Sequence, residues 1–278
     1  MSQSHHFRAY TFVDRITAVQ PGVSARGTYA IPAALKDFSS SLVAEATGQL
    51  AAWSALAAVD FKSRPLTGIA ARVEVFAPVR PGDALELAAE IESVDVDAIA
   101  YGGTASVNGS PVLRLHHCVC PMLPAEDFDD PQALRDHFAL LCDAGAHPGG
   151  FGGVPDLNCE RTRSEPGESI RADLQVPVAA PFFADHFPRK PVFPGTLLMH
   201  AKLQLAAALA ADVPLPARAH AWKVKSVVNM KLRAFIEPGG LLELEAKLIA
   251  REGENLTISV ESRRGKRLAG AVTVLLTA

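Results

Sequence analysis

No stretch of this chain is strongly basic, and its 27 Lys and Arg are outnumbered by 30 Asp and Glu, for a formal net charge of −3. Nucleic-acid binders carry a concentrated positive footprint, so the composition speaks against that class. Cysteine is scarce: there are four, Cys118, Cys120, Cys142 and Cys159. Cys118-Val119-Cys120 has the wrong spacing for a zinc knuckle, and no second Cys pair follows. All four are read as reduced thiols of a cytoplasmic protein. The N-terminus, MSQSHHFRAY, lacks the apolar core of a signal peptide. Long apolar runs are missing too. Glu45 and Gln49 interrupt one of the two most apolar stretches, and His200, Lys202 and Gln204 interrupt the other. Neither supplies the roughly 18 uninterrupted apolar residues of a membrane span. What remains is a globular composition, 49% apolar over 278 residues, with room for one large or two ordinary domains.

The chain repeats itself. Leu42-Val-Ala-Glu-Ala-Thr-Gly-Gln-Leu-Ala-Ala aligns with Leu197-Leu-Met-His-Ala-Lys-Leu-Gln-Leu-Ala-Ala at an offset of 155 (197 minus 42). VRPGDALELAAEI aligns with IEPGGLLELEAKL, Pro81 on Pro238, at an offset of 157. Gly109 pairs with Gly265 at 156, whereas Pro21 pairs with Pro166 at only 145. The chain is therefore two copies of one unit: residues 1–123, a linker over 124–154, and residues 155–278. The jump from 145 to 155 puts about ten extra residues into the second copy (155 minus 145), within APFFADHFPRK. Pro131 to Cys142 reads as a short amphipathic helix, and HPGGFGG (147–153) as a flexible linker by composition.

Each unit opens with an extended stretch, continues into a long helix and ends in several strands. The helices around 41–59 and 196–211 are apolar nearly all round, which is the pattern of a buried helix. IAARVEVFA, ALELAAEIESV, AYGGTASVNG and PVLRLHHCV read as strands, with hairpin turns at Pro81-Gly82 and Asn108-Gly109. One buried helix wrapped by an antiparallel sheet, an α+β unit, satisfies this pattern. Two such units can pair sheet edge to edge.

HFPRKPVFPGTLLMHAKLQ, from His186 to Gln204, resembles the H-F-P-x-x-P-x-x-P-G-x-L-x-x-[E/D]-A-x-x-Q signature of bacterial 3-hydroxyacyl-acyl carrier protein dehydratases, which have the hot dog fold. The resemblance implies a tandem (double) hot dog forming a pseudodimer within one chain. In that family a His from one subunit faces a Glu or Asp from the central helix of the other. Here the helical acid position, fourteen residues after His186 (200 minus 186), is occupied by His200, while the first copy has Glu45 there but lacks the histidine loop. The resemblance therefore implies one composite site, catalytic His186 with catalytic Glu45, and a degenerate mirror site at His200. Glu-type members mostly dehydrate without isomerising.

Such a reaction needs donors at a helix N-terminus to polarise the thioester carbonyl. Gly195 opens one helix and Ser40 the other; the sequence leaves open which serves. His186 supplies a base of near-neutral pKa without perturbation. Glu45 in an apolar setting has its pKa raised and keeps a proton for the leaving hydroxyl. Phe187, Pro188, Phe193 and Gln49 are the expected pocket. The expected partner is an acyl carrier protein carrying the substrate, with Arg189, Lys190, Lys223 and Lys225 as possible contacts; no cofactor is implied. Nucleic acid and membrane are not expected partners. No metal is expected either: His116, Cys118 and Cys120 would share a strand face but have no evident fourth donor. Asp185 stands where the family has a small residue. The competing functions are a hot dog thioesterase and an inactive acyl-binding or scaffold subunit.

Overall fold

The computed structural model describes residues 7–66, 68–217 and 219–278. Strands β1 (Arg15–Gln20) and β2 (Ser24–Ala30) precede helix α1 (Ser40–Ala58). They are followed by β3 (Ser63–Pro65), β4 (Ile69–Val75), β5 (Ala84–Val94), β6 (Ala98–Val107) and β7 (Ser110–Pro124). After helix α2 (Pro131–Cys142) the pattern recurs: β8 (Asn158–Glu165), β9 (Ser169–Gln175), α3 (Gly195–Ala211), β10 (Lys223–Leu232), β11 (Leu241–Glu252), β12 (Asn255–Arg264) and β13 (Arg267–Thr277).

All paired strands are antiparallel, and the sheet order is β1-β2-β5-β6-β7-β4-β10-β13-β12-β11-β9-β8, with β3 paired to β7 off this path. The order reads the same from either end once β10 is matched to β4, β11 to β5, and so on. The seam is the β4–β10 pair, where Val227 lies opposite Val73. Pairing there covers the edge that each set of strands would otherwise expose. Helix α1 packs on β2, β5, β6 and β7, α3 on β9, β10, β11 and β12, and the two helices also touch one another. Both bury apolar residues on every side, among them Leu42, Leu50 and Leu56 of α1 and Leu197, Leu205 and Leu209 of α3. No helix among the described residues is long and apolar enough to cross a membrane.

Local chemistry explains most of the turns. Asn108 (φ 50°) and Gly109 (φ 74°) close the β6–β7 hairpin, the left-handed pair a type I′ turn requires. Pro81-Gly82 is also a turn, with the Asp83 N–H donating to the Arg80 carbonyl at 3.0 Å. It is not a hairpin, because β4 and β5 are not neighbours; it redirects the chain to β2, across the seam-side strands. Phe151, within the Gly-rich stretch, is buried against Tyr10 and Phe12, so the composition understates how that segment packs. His117 sits at φ 46° in β7, and the β6–β7 register slips beside it. This irregularity breaks the alternation expected for His116, Cys118 and Cys120: the two cysteines are buried, while His116 turns toward Glu74 at 2.8 Å.

One polar group in the core is conspicuous. Lys202 of α3 is only 1% exposed, and burial lowers its pKa to about 7, with Glu261 opposing. The unfolded chain binds this proton more tightly, so the penalty is full below pH 7 and fades as pH rises toward 10. Lys202→Met should therefore stabilise the fold by about 1–4 kcal/mol at pH 6, and by less at pH 10. Denaturant melts of both proteins at the two pH values check this.

Candidate functional site

Helices α1 and α3 meet where Glu45, in the second turn of α1, faces Thr196, in the first turn of α3. The Thr196 hydroxyl donates to Glu45 Oε2 at 2.7 Å. The Tyr10 hydroxyl lies 2.7 Å from Thr196 Oγ1. Since the Thr196 proton goes to the carboxylate, Tyr10 donates to Thr196. One helical turn beyond Glu45, Gln49 Nε2 donates to Glu45 Oε1 at 2.8 Å and to the Tyr10 carbonyl at 3.0 Å. Gln49 Oε1 in turn accepts the Phe12 N–H at 2.8 Å. Burial raises the Glu45 pKa; the bonds from Thr196 and Gln49 pull the other way. Tyr10 is fully enclosed and its pKa is pushed well up, first by burial and then by Glu45.

His186 lies in the loop between β9 and α3. Its Nδ1 is 2.9 Å from the Val192 carbonyl oxygen, which can only accept. Nδ1 therefore carries the proton and Nε2 keeps the lone pair. The ring packs 4.2 Å from that of Phe187 and edge-on, at 5.7 Å, to Tyr10. Tyr10 thus touches both the histidine and, through Thr196, the acid. The sequence reading of an unperturbed histidine is corrected here. Burial lowers the His186 pKa to about 3; the Val192 bond opposes this, and the nearby Arg64 guanidinium adds to it. His186 is a neutral imidazole.

The loop is held from the other half of the chain. Asp185 accepts the backbone N–H of Arg8 at 2.8 Å and of Tyr10 at 2.7 Å, so this carboxylate ties the loop to the N-terminal segment. Arg64, paired to Asp129 at 2.9 Å, stacks 4.4 Å above the Phe187 ring. Phe187 has φ 66°, a conformation that strains a bulky residue by about 1–3 kcal/mol. The Arg64 stack, together with Phe128 at 5.4 Å on an edge, holds it there.

The expected pocket residues divide. Phe187, Phe193 and Gly195 line a cavity of about 30 Å³ with His186. Ser40, Thr196, Tyr101 and Met199 line a second, of about 70 Å³, between the two helices. Pro188 and Gln49 line neither; Gln49 is a holder of Glu45 instead. Gly195 thus borders the histidine, whereas Ser40 shares the second cavity with Thr196. His200 is half-buried, its pKa lowered by burial with Asp37 opposing. Arg189 donates to the Glu126 carbonyl at 2.7 Å, and Lys190 lies 5.5 Å over the Phe128 ring; Lys223 and Lys225 border a different cavity. Sequence reasoning missed Tyr10, Thr196 and Arg64. Thr196 stood inside the loop-to-helix motif and was readable as a hydroxyl at a helix start. Tyr10 and Arg64 carried no local signal.

Comparison with solved structures defines the class. The 12:0-ACP thioesterase from Umbellularia californica aligns over 91% of this chain and 93% of its own, with a TM-score of 0.57 and 10% identity. A MaoC-like dehydratase aligns over 92% and 98%, with a TM-score of 0.54 and 14% identity. At such identities the likeness shows the fold alone, and the fold is the hot dog fold. Within that class, residues 162–271 match the model of the ApeI-like family, described as ApeI dehydratase. The 3-hydroxyacyl-[acyl-carrier-protein] dehydratase FabZ of Shewanella oneidensis is 37% identical over 89 residues, which is 30% of this chain and 56% of that protein. FabZ of Albidiferax ferrireducens is 38% identical over 85 residues, 30% and 57% respectively. The resemblance to the dehydratases thus holds for the C-terminal part of the chain. The chain spans a little over half the length of the curated relatives it matches.

Proposed function

We propose that the chain is a tandem double hot dog, units 1–123 and 155–278 joined by 124–154. It dehydrates 3-hydroxyacyl thioesters borne on acyl carrier protein, in fatty acid or polyketide assembly, at one composite site between the units. The observation that carries this reading is the hydrogen-bonded chain Tyr10–Thr196–Glu45, which joins the acid of the first unit to the helix start of the second, with His186 against the same tyrosine.

In this reading the thioester carbonyl accepts from the N–H groups at the start of α3, Gly195 foremost, which have no partner within the helix. His186 Nε2 takes the α-proton, and the electron pair moves into the forming C2–C3 double bond. The C3–O bond breaks as the Glu45 carboxyl gives its proton to the leaving oxygen, either directly or by a shift along the Thr196 hydroxyl. Water and a 2-enoyl thioester result. The imidazolium gives its proton up to water and Glu45 takes one back from water before the next turnover, so no proton is gained or lost overall. A glutamate protonated in its resting state reverses the bond to Thr196, and the hydroxyl chain is built to flip either way.

Two tests arise directly. Because His186 is neutral down to about pH 3, kcat/KM should show no limb near pH 6.5, where an ordinary histidine titrates. A pH–rate profile of short 2-enoyl thioester hydration reads this, and a clear limb at 6.5 would contradict the buried base. Thr196→Val removes the hydroxyl at nearly constant volume. It should lower kcat by roughly 10–100-fold with little effect on KM, as for loss of a hydrogen bond to a charged group, while Thr196→Ser retains most activity. Equal losses in both variants would reduce Thr196 to a packing residue.

A further inference from the structure

We propose that the cavity at the mirror position of the His186 site is a second, non-catalytic binding site for an amphipathic anion: an acyl chain ending in a carboxylate, or one carried on a phosphate-bearing arm. This does not rest on the dehydratase reading. The two cavities occupy corresponding places in the repeat. Phe193 and Gly195 of the small cavity correspond to Phe38 and Ser40 of the other at the 155-residue offset, and Leu232 corresponds to Val75 at 157.

What differs is the connection in front. Nineteen residues, 176–194, join β9 to α3, but only nine, 31–39, join β2 to α1. The longer connection brings His186 and Phe187 into its own cavity and leaves about 30 Å³. The short one leaves about 710 Å³ at the mirror position, within the roughly 300–1,000 Å³ typical of small-molecule sites.

The lining says what would fit. The cavity sits over the β4–β10 seam, and its walls include Phe38, Val43, Leu113 and Val224. Phe76, also on the wall, is 51% exposed, a large apolar surface left open to water. Lys223 and Lys225 stand at the same cavity, both exposed, and neither has an ion-pair partner among the described residues. Glu74 lines it as well, but its carboxylate is already paired with Arg72 at 3.3 Å and hydrogen-bonded to His116 at 2.8 Å. A small anion would leave the apolar walls wet, and a neutral hydrocarbon would leave the lysines unused. An acyl chain with an anionic end uses both.

Calorimetric titration of the full chain, in the His186→Ala background, tests this with dodecanoate, dodecanoyl phosphopantetheine, dodecanol and inorganic phosphate. At least one of the first two should bind, and which one does identifies the source of the anion. Dodecanol and phosphate should bind at least about tenfold more weakly. Ala77→Trp, which fills the cavity from an exposed position on its wall, should abolish binding. Lys223→Glu with Lys225→Glu should weaken it by about tenfold or more; both are surface positions, so folding is not at stake. The proposal is overturned if neither anionic probe binds, if binding survives both sets of substitutions, or if dodecanol binds as tightly as dodecanoate.

Discussion

His186→Ala lowers kcat/KM for hydration of a short 2-enoyl thioester by about 10²–10⁴-fold, the usual worth of a positioned general base. The loss should fall on kcat. Among the described residues the imidazole makes one polar contact, with the Val192 carbonyl, and removing it leaves that carbonyl free to find water. Stability should respond in a characteristic way. The folded-state pKa of His186 is depressed to about 3, so between pH 6.5 and 3 the unfolded chain holds a proton that the folded chain refuses. Stability contributed by the neutral ring is present above pH 6.5 and is lost as pH falls toward 3. The Ala variant should therefore show a shallower loss of stability over that range, readable by denaturant melts at pH 7 and pH 4.

Glu45→Gln should cost as much activity, again about 10²–10⁴-fold, without unfolding the protein. A glutamine at 45 can donate to Thr196 Oγ1 and accept from Gln49 Nε2, which preserves both bonds of the network. Its effect on stability runs opposite to that of His186. The Glu45 pKa is raised by burial, so the folded state holds the proton more tightly, and stability is lost as pH rises above the ordinary carboxylate value. The amide variant lacks that decline and should be the more stable partner at neutral pH. A variant that is both less active and more stable is the signature of a strained functional group. A Glu45→Gln protein with near-normal turnover would remove the acid from the mechanism. His200→Ala serves as the control and should keep most activity.

Much of this arrangement was legible in the residues because repetition is a property of the sequence itself. The offset jump of ten foretold the difference between the nine- and nineteen-residue connections. All-round apolar runs marked α1 and α3 as buried helices, and the amphipathic pattern of 131–142 marked α2, whose Asp130 cap only the structure shows. What was not legible is what depends on the neighbours in space. Pro81-Gly82 is a turn by local chemistry, but whether a turn closes a hairpin depends on the strand order. The irregularity at His117 moved His116 away from the cysteines, and no period of two can anticipate it. The pKa of His186 follows from burial and from Arg64, which is over a hundred positions away in the chain. Tyr10 is held in the site by residues distant in the chain: Asp185 accepts its N–H, Gln49 donates to its carbonyl, and its hydroxyl meets Thr196. Asp185 had been read as a departure from the family pattern; in the structure it is the clamp.

The central claim is that one site is shared between the two units, and a double-mutant cycle tests it most directly. Hydration of a 2-enoyl thioester on acyl carrier protein is measured for the wild type, His186→Ala, Glu45→Gln and the double variant, with the products identified. Residues acting as a unit are strongly non-additive. The account predicts a 3-hydroxyacyl product and a double variant no worse than its poorer parent. Multiplied losses in the double variant, release of free acid, or a wild type without turnover on any chain length would contradict it.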